Sequence, residues 1–113
     1  MPTSVADIDR LQEYLDGVMT RADHHANNVS EIALAIIGAI IWRKDVAPIQ
    51  VMDHNGKLKN ALWVFIGGTK YVFSYHHDEG AIQIREGTLR GNVLHSLTNN
   101  TTAAELRSIF EGL

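Results

Sequence analysis

Apolar positions repeat at helical spacing from about Ser4 to Ala22. Val5, Ile8, Leu11, Leu15, Val18 and Met19 share one side, and Asp7, Asp9, Glu13 and Asp16 lie mostly on the other. Ser4 followed three residues later by Asp7 reads as an N-cap start, and the acidic first turn suits the helix dipole. The periodicity breaks between Ala22 and Asn28. Asn28 with Glu31 is a second capping signature and predicts a second helix over about Val29 to Arg43. Its run from Ile32 to Trp42 is apolar all round, so the helix needs cover on every side. Five isoleucines in that run also suit a buried strand, but its length and its alanines favour a helix. Ala35, Gly38 and Ala39 are small and close at helical spacing, where a neighbouring element can approach. Arg43 and Lys44 end the run with the cations a helix C-terminus favours.

After Val46 the period changes to two. A first strand is expected over about Ala47 to Asp53, with Pro48 confining it to an edge or a strand start. His54-Asn55-Gly56 is a hairpin turn, because Asn-Gly readily supplies positive φ. The second strand, about Leu58 to Ile66, is apolar on both faces and should be interior. Gly67-Gly68 turns the chain into a third strand, about Lys70 to His76, where Tyr71, Phe73 and Tyr75 alternate with Val72 and Ser74. Asp78-Glu79-Gly80 turns it again into a fourth, about Ala81 to Glu86, with Ile82 and Ile84 opposite Gln83 and Arg85. A short fifth strand over about Asn92 to Leu97 and a last helix over about Thr102 to Glu111 complete the pattern. That helix is expected to bury Ala103, Leu106, Ile109 and Phe110. The short links imply antiparallel neighbours. The fold class is therefore α+β: two N-terminal helices, an antiparallel four- to five-stranded meander sheet and a C-terminal helix, all in one domain over 1–113.

Composition sharpens this picture at a few points. A chain of 113 residues holds one domain. With no cysteine, disulfides and thiolate chemistry are excluded, which agrees with a reducing compartment. The start has no basic region followed by an apolar stretch. The longest apolar run is far short of the ~20 residues that cross a bilayer. A cytoplasmic location and no membrane partner are expected. The net charge of −3 argues against a dedicated nucleic-acid partner. Residues 1–42 carry two basic and six acidic groups (2 − 6 = −4), and residues 43–95 carry seven and five (7 − 5 = +2). The second segment therefore has a weakly basic face.

Candidate chemistry is sparse. His24-His25 and His76-His77 each sit beside acids, but adjacent strand residues point to opposite faces and no i, i+4 pair is present. No metal site and no cofactor are expected, and polar turn residues account for both pairs. Ser74 and His76 share a strand face, which is one step towards a nucleophile and base, but no Gly-x-Ser-x-Gly elbow accompanies them. Gly67-Gly68-Thr69-Lys70 lacks the spacing of a phosphate loop and reads as a hairpin turn. Trp63, Phe65, Tyr71, Phe73 and Tyr75, with Lys57, Lys59, Lys70 and Arg85 nearby, have the composition of a stacking platform for single strands; an ordinary sheet core uses the same residues. One cluster is less ordinary. Trp42 and Arg43 leave the second helix and Tyr75 and His76 end the third strand, so convergence at one sheet end would give a pocket for a small anionic ligand.

Four stretches carry a family resemblance: His24-His25-Ala26-Asn27-Asn28-Val29, Gly38-Ala39-Ile40-Ile41-Trp42-Arg43-Lys44-Asp45, Phe73-Ser74-Tyr75-His76-His77 and Arg85-Glu86-Gly87-Thr88. From about residue 20 to the end, the chain resembles small bacterial proteins carried on integron gene cassettes. The resemblance implies a bacterial cytoplasmic origin and an accessory role, and it supplies no reaction, ligand or catalytic residue.

Two function classes follow, with nucleic-acid binding through the sheet as a third behind them. The first is a non-enzymatic binding or interaction protein acting as a homodimer through the Ile32–Trp42 helix, whose apolar surface exceeds what a small domain can hide. On sequence alone, Ile36→Glu is the natural substitution to disrupt that assembly. The second is a small-molecule binder or enzyme using Trp42, Arg43, Tyr75 and His76.

Overall fold

The computed structural model describes residues 12, 15–17, 19–20, 29–54, 57–76 and 78–113. Within the expected Ser4–Ala22 helix, the described positions are helical, and the Thr20 hydroxyl donates to the Asp16 carbonyl at 2.9 Å. The remainder of that expectation lies outside the described residues. The elements that follow are helix α1 (Ile32–Arg43), strands β1 (Gln50–His54), β2 (Lys57–Ile66), β3 (Thr69–His76), β4 (Ala81–Glu86) and β5 (Val93–Leu97), and helix α2 (Ala103–Gly112). The five strands form one sheet in the order β1-β2-β3-β4-β5, with every neighbour antiparallel. The chain is an α+β protein built on a meander. The fifth strand is formed, and β1 starts after Pro48, as a residue without an N–H donor requires.

Both helices in this set pack on one face of the sheet. Ile32, Ile36 and Ile40 of α1 and Leu106 and Phe110 of α2 meet Leu62, Val64, Ile66, Phe73, Ile84 and Leu97 in one buried core. The Phe110 ring stacks on Phe73 with centroids 5.8 Å apart. The sheet residues here are alternate positions of each strand, so period-two patterning is what assembles this face. The register fixes the other face as well. Trp63 pairs with Val72 and Val72 with Arg85; Ala61 pairs with Ser74, Ser74 with Gln83 and Gln83 with Ser96. These residues point away from α1 and α2.

Local contacts differ from the sequence reading at the start of α1. Helix α1 begins at Ile32 rather than Val29, and its N-cap, Glu31, makes no side-chain cap. A residue from beyond β5 takes that role: Asn99 Oδ1 accepts from the Glu31 and Ile32 amides, both at 2.9 Å. Asn28, the expected cap, lies outside the described residues. Helix α2 is self-sufficient. Thr102 Oγ1 accepts from the Glu105 amide and Glu105 Oε1 accepts from the Thr102 amide, a complete capping box. Leu106 and Phe110 are buried and Ile109 is half-buried. Ala103, expected in the core, is exposed: it shares the Leu106–Phe110 side but sits at the first position of the helix, where it lines an open groove.

Candidate functional site

Two surfaces stand out from this frame, one on α1 and one on the sheet face away from it. On α1, Ile32, Ala33, Ile36 and Ile40 are buried. Leu34, Ala35, Gly38, Ile41 and Trp42 are exposed, and they fall at i, i+1, i+4, i+7 and i+8, a continuous outward stripe. Leu34, Ile41 and Trp42 are 53%, 48% and 54% exposed, so the stripe is open to solvent in a lone chain. A Cβ added at Gly38 would meet nothing within 4 Å, so the stripe dips at its middle. An open groove of about 360 Å³, lined by Ala39, Trp42, Ala103, Leu106 and Arg107, carries the surface on to α2. The expectation that this helix is covered on every side is therefore met on one side only.

The C-terminal end of α1 is fastened down. Arg43 Nε donates to the Phe110 carbonyl at 3.0 Å, a second donor to a last-turn carbonyl of α2 that also accepts from the Leu113 amide. The Arg43 guanidinium also lies 5.8 Å from the centre of the Trp42 ring. Two residues on, the Asp45 amide donates to the Phe65 carbonyl, and the Asp45 carboxylate accepts from the amides of Gly67 and Gly68 at 3.0 and 2.8 Å. Both glycines have positive φ, 59° and 84°, so Gly67-Gly68 is a tight hairpin turn that Asp45 holds.

This anchoring shows where the expected ligand residues go. Trp42 and Arg43 lie at the end of α1 beside the β2–β3 turn. The N-terminal end of α1 is tied to Asn99, just past Leu97, which pairs with Ile82 and so aligns with Tyr75. Tyr75 and His76 are thus at the opposite end of a twelve-residue helix about 18 Å long. Tyr75 faces the core side, and His76, one residue on, faces the other. The four residues do not converge on one pocket.

His76 has different company. Its Nε2 lies 2.6 Å from Arg85 Nη1. Arg85 Nη2 donates to Gln83 Oε1 at 2.7 Å, and Arg85 Nε donates to the Gly91 carbonyl at 3.0 Å. Gly91 is held tightly there, since a Cβ on it would lie 2.7 Å from the Glu86 carbonyl oxygen. Ser74 and Gln83, paired across β3 and β4, form the buried floor of this patch. The Ser74 hydroxyl is buried and has no hydrogen-bond partner. It shares a face with His76, as the sequence implies, yet is not bonded to it. The register also divides the aromatic residues. Trp63 and Phe65 lie on this side, Tyr71, Phe73 and Tyr75 on the core side, so they do not form one stacking platform. His24, His25 and His77 lie outside the described residues. Among the described ones, no three of His, Asp and Glu gather as metal ligands would.

The model of the family described as integron cassette protein VCH_CASS1 chain matches residues 11–107. The chain belongs to this integron cassette protein family. The match takes in every residue of the α1 stripe and of the Ser74–His76–Gln83–Arg85 patch of the cassette protein. No curated protein matches it. Among the described residues, no helix is long and apolar enough to cross a membrane.

Sequence reasoning missed Arg85 as the partner of His76 and Gln83 as the partner of Arg85. The signal was present in the alternation of β3 and β4. The hairpin through Asp78-Glu79-Gly80 puts His76 opposite Ala81, and Gln83 and Arg85 then follow on the same face.

Proposed function

We propose that the cassette protein is a non-enzymatic binding or interaction protein of the bacterial cytoplasm that works as a homodimer, carried as an accessory cassette gene and joined through the outward face of α1. The observation that carries this reading is the stripe Leu34, Ala35, Gly38, Ile41 and Trp42: an entirely apolar face, three of its five residues large, on a helix whose other face is already in the core. Contiguous apolar surface of this kind marks an interaction site. A second copy is the occupant that suits it, because a two-fold interface needs a patch that complements itself. A helix apolar on its outward face, with Gly38 at its middle, can lie across its own image at close range. A stable interface takes about 20–30 residues a side, so the groove towards Ala103 and Arg107 belongs to it. The Ser74 hydroxyl is unpaired and His76 Nε2 is engaged by Arg85, which supports a binding role over a catalytic one, because the hydroxyl lacks the base that would activate it.

Light scattering on a sized sample tests the proposal. The expected mass is twice the 12.6 kDa of one chain. Ile41→Glu should return the mass to one chain with an unchanged circular dichroism spectrum. A wild-type protein that runs as a well-behaved monomer across concentrations overturns the reading.

A further inference from the structure

Among the described residues, the Arg85 patch holds a charge without a counter-charge. The guanidinium has five N–H donors, and three are engaged, by Gly91 O, Gln83 Oε1 and His76 Nε2. All three acceptors are neutral groups when His76 accepts through its Nε2 lone pair. Among the described residues no carboxylate pairs with Arg85; Arg107 pairs with Glu111 on α2. An arginine fixed in one geometry by neutral acceptors, with donors to spare, is arranged for an anion from outside.

The surroundings agree. Arg85 and His76 are half-exposed, so a ligand can reach them. Below them Ser74 is 7% exposed and Gln83 6%, and the Ser74 hydroxyl is a buried donor with no acceptor. Three donor types therefore lie on one face of the β3–β4 pair: guanidinium, imidazole and hydroxyl. Each can donate to an oxyanion, the imidazole through its Nδ1–H when Nε2 accepts from Arg85. The bulge between Ile84 and Arg85 sets this up, because it brings Val93 opposite Arg85 and draws the 87–91 loop over the arginine stem, where Gly91 accepts from Nε.

We propose that Arg85, with His76 and Ser74 beside it, binds the oxyanion group of a small molecule, a carboxylate or a phosphate, on the sheet face away from α1 and α2. The site is independent of the dimer: it lies on the opposite side of the sheet from the α1 stripe and uses none of its residues.

The test is an NMR titration of the full chain with sodium acetate and, separately, sodium phosphate, against sodium chloride at matched ionic strength. The Arg85 Nε–H and the His76 ring resonances should shift saturably with at least one oxyanion and not with chloride. The tighter of the two probes identifies the ligand as carboxylate or phosphate. Arg85→Gln should weaken binding on the order of tenfold or more, as loss of a hydrogen bond to a charged group predicts. Arg85→Lys keeps the charge without the fork and serves if Arg85→Gln does not fold. Ser74→Ala should weaken binding several-fold while raising the melting temperature, since it removes a buried hydroxyl that has no partner; a purely structural serine would not separate the two. No saturable shift with either probe, or unchanged affinity in Arg85→Gln or Arg85→Lys, overturns the proposal.

Discussion

The two helices of this protein follow different rules, although both rest on the same face of one sheet. Helix α2 is written for a protein surface. It carries Leu106 and Phe110 inward, an Arg107–Glu111 pair at 2.9 Å outward, and a capping box built from its own residues. Helix α1 has no polar side chain before Arg43, and its first amides are satisfied by Asn99, which is distant in sequence. An amphipathic, self-capped helix states locally which side is wet. A helix apolar all round does not, and only the fold decides that Ile36 and Ile40 go in and Leu34, Ile41 and Trp42 stay out. The lesson is that surplus apolar surface is legible as a quantity before it is legible as a location.

The largest effects should come from the inward side of α1. Ile40 is 1% exposed, so Ile40→Ala should cost about 2–5 kcal/mol in chemical denaturation, a transfer loss plus a cavity. Ile36→Glu, the substitution that sequence alone singles out against assembly, would place a charge in the same core and unfold the chain, since Ile36 is 4% exposed. Ile41→Glu, one residue along and on the outside, should instead remove only the part of the stability that grows with protein concentration. If Ile41→Glu melts like Ile40→Ala in dilute solution, the inward–outward division of α1 is wrong.

Most of the architecture could be read from the residues. Period-two alternation in Tyr71–Tyr75 and in Ile82–Arg85 assigned each side chain to its correct face, and Gly67-Gly68 marked a turn that needs two positive φ values. The site was read less well. Trp42 and Arg43 are close in sequence to one end of a helix, and Tyr75 and His76 to one end of a strand, but nothing local states which ends meet. That depends on Asn99 and Asp45, which pin opposite ends of α1 to the sheet. Arg43 looked like a ligand residue because it leaves the apolar helix beside Trp42; it is half-buried and caps the end of α2. The aromatic residues were grouped by composition, and a single register fact, Trp63 opposite Val72, separates them.

The caps sharpen the comparison at smaller scale. Asn99→Ala leaves the Glu31 and Ile32 amides without their acceptor and should cost about 1–2 kcal/mol, with hydrogen exchange rising at the start of α1 and along the 98–101 turn together. Thr102→Ala should cost about 1 kcal/mol, and its exchange signature should stay within α2. A local signature in the first case would mean that α1 does not depend on its distant cap.

The smallest effect is a matter of pH, and it belongs to α2 alone. The Thr102 backbone amide, which donates to the Glu105 carboxylate, holds that carboxyl below the usual glutamate value, with the Thr102 side chain adding to the shift. A carboxyl lowered in the folded state stabilises the fold at every pH above its unfolded value. That contribution fades as the pH falls through the folded one, because the proton then binds the unfolded chain first. Glu105→Gln keeps an acceptor in the capping box and removes the charge. At neutral pH the wild type should therefore melt slightly above the variant, and the gap should close on acidification below the ordinary glutamate range. The start of α1 holds no carboxylate in an equivalent bond, so no matching acid-dependent loss is expected in its exchange rates. A gap that persists unchanged into acid would show that the amide, and not the charge on Glu105, does the work of the cap.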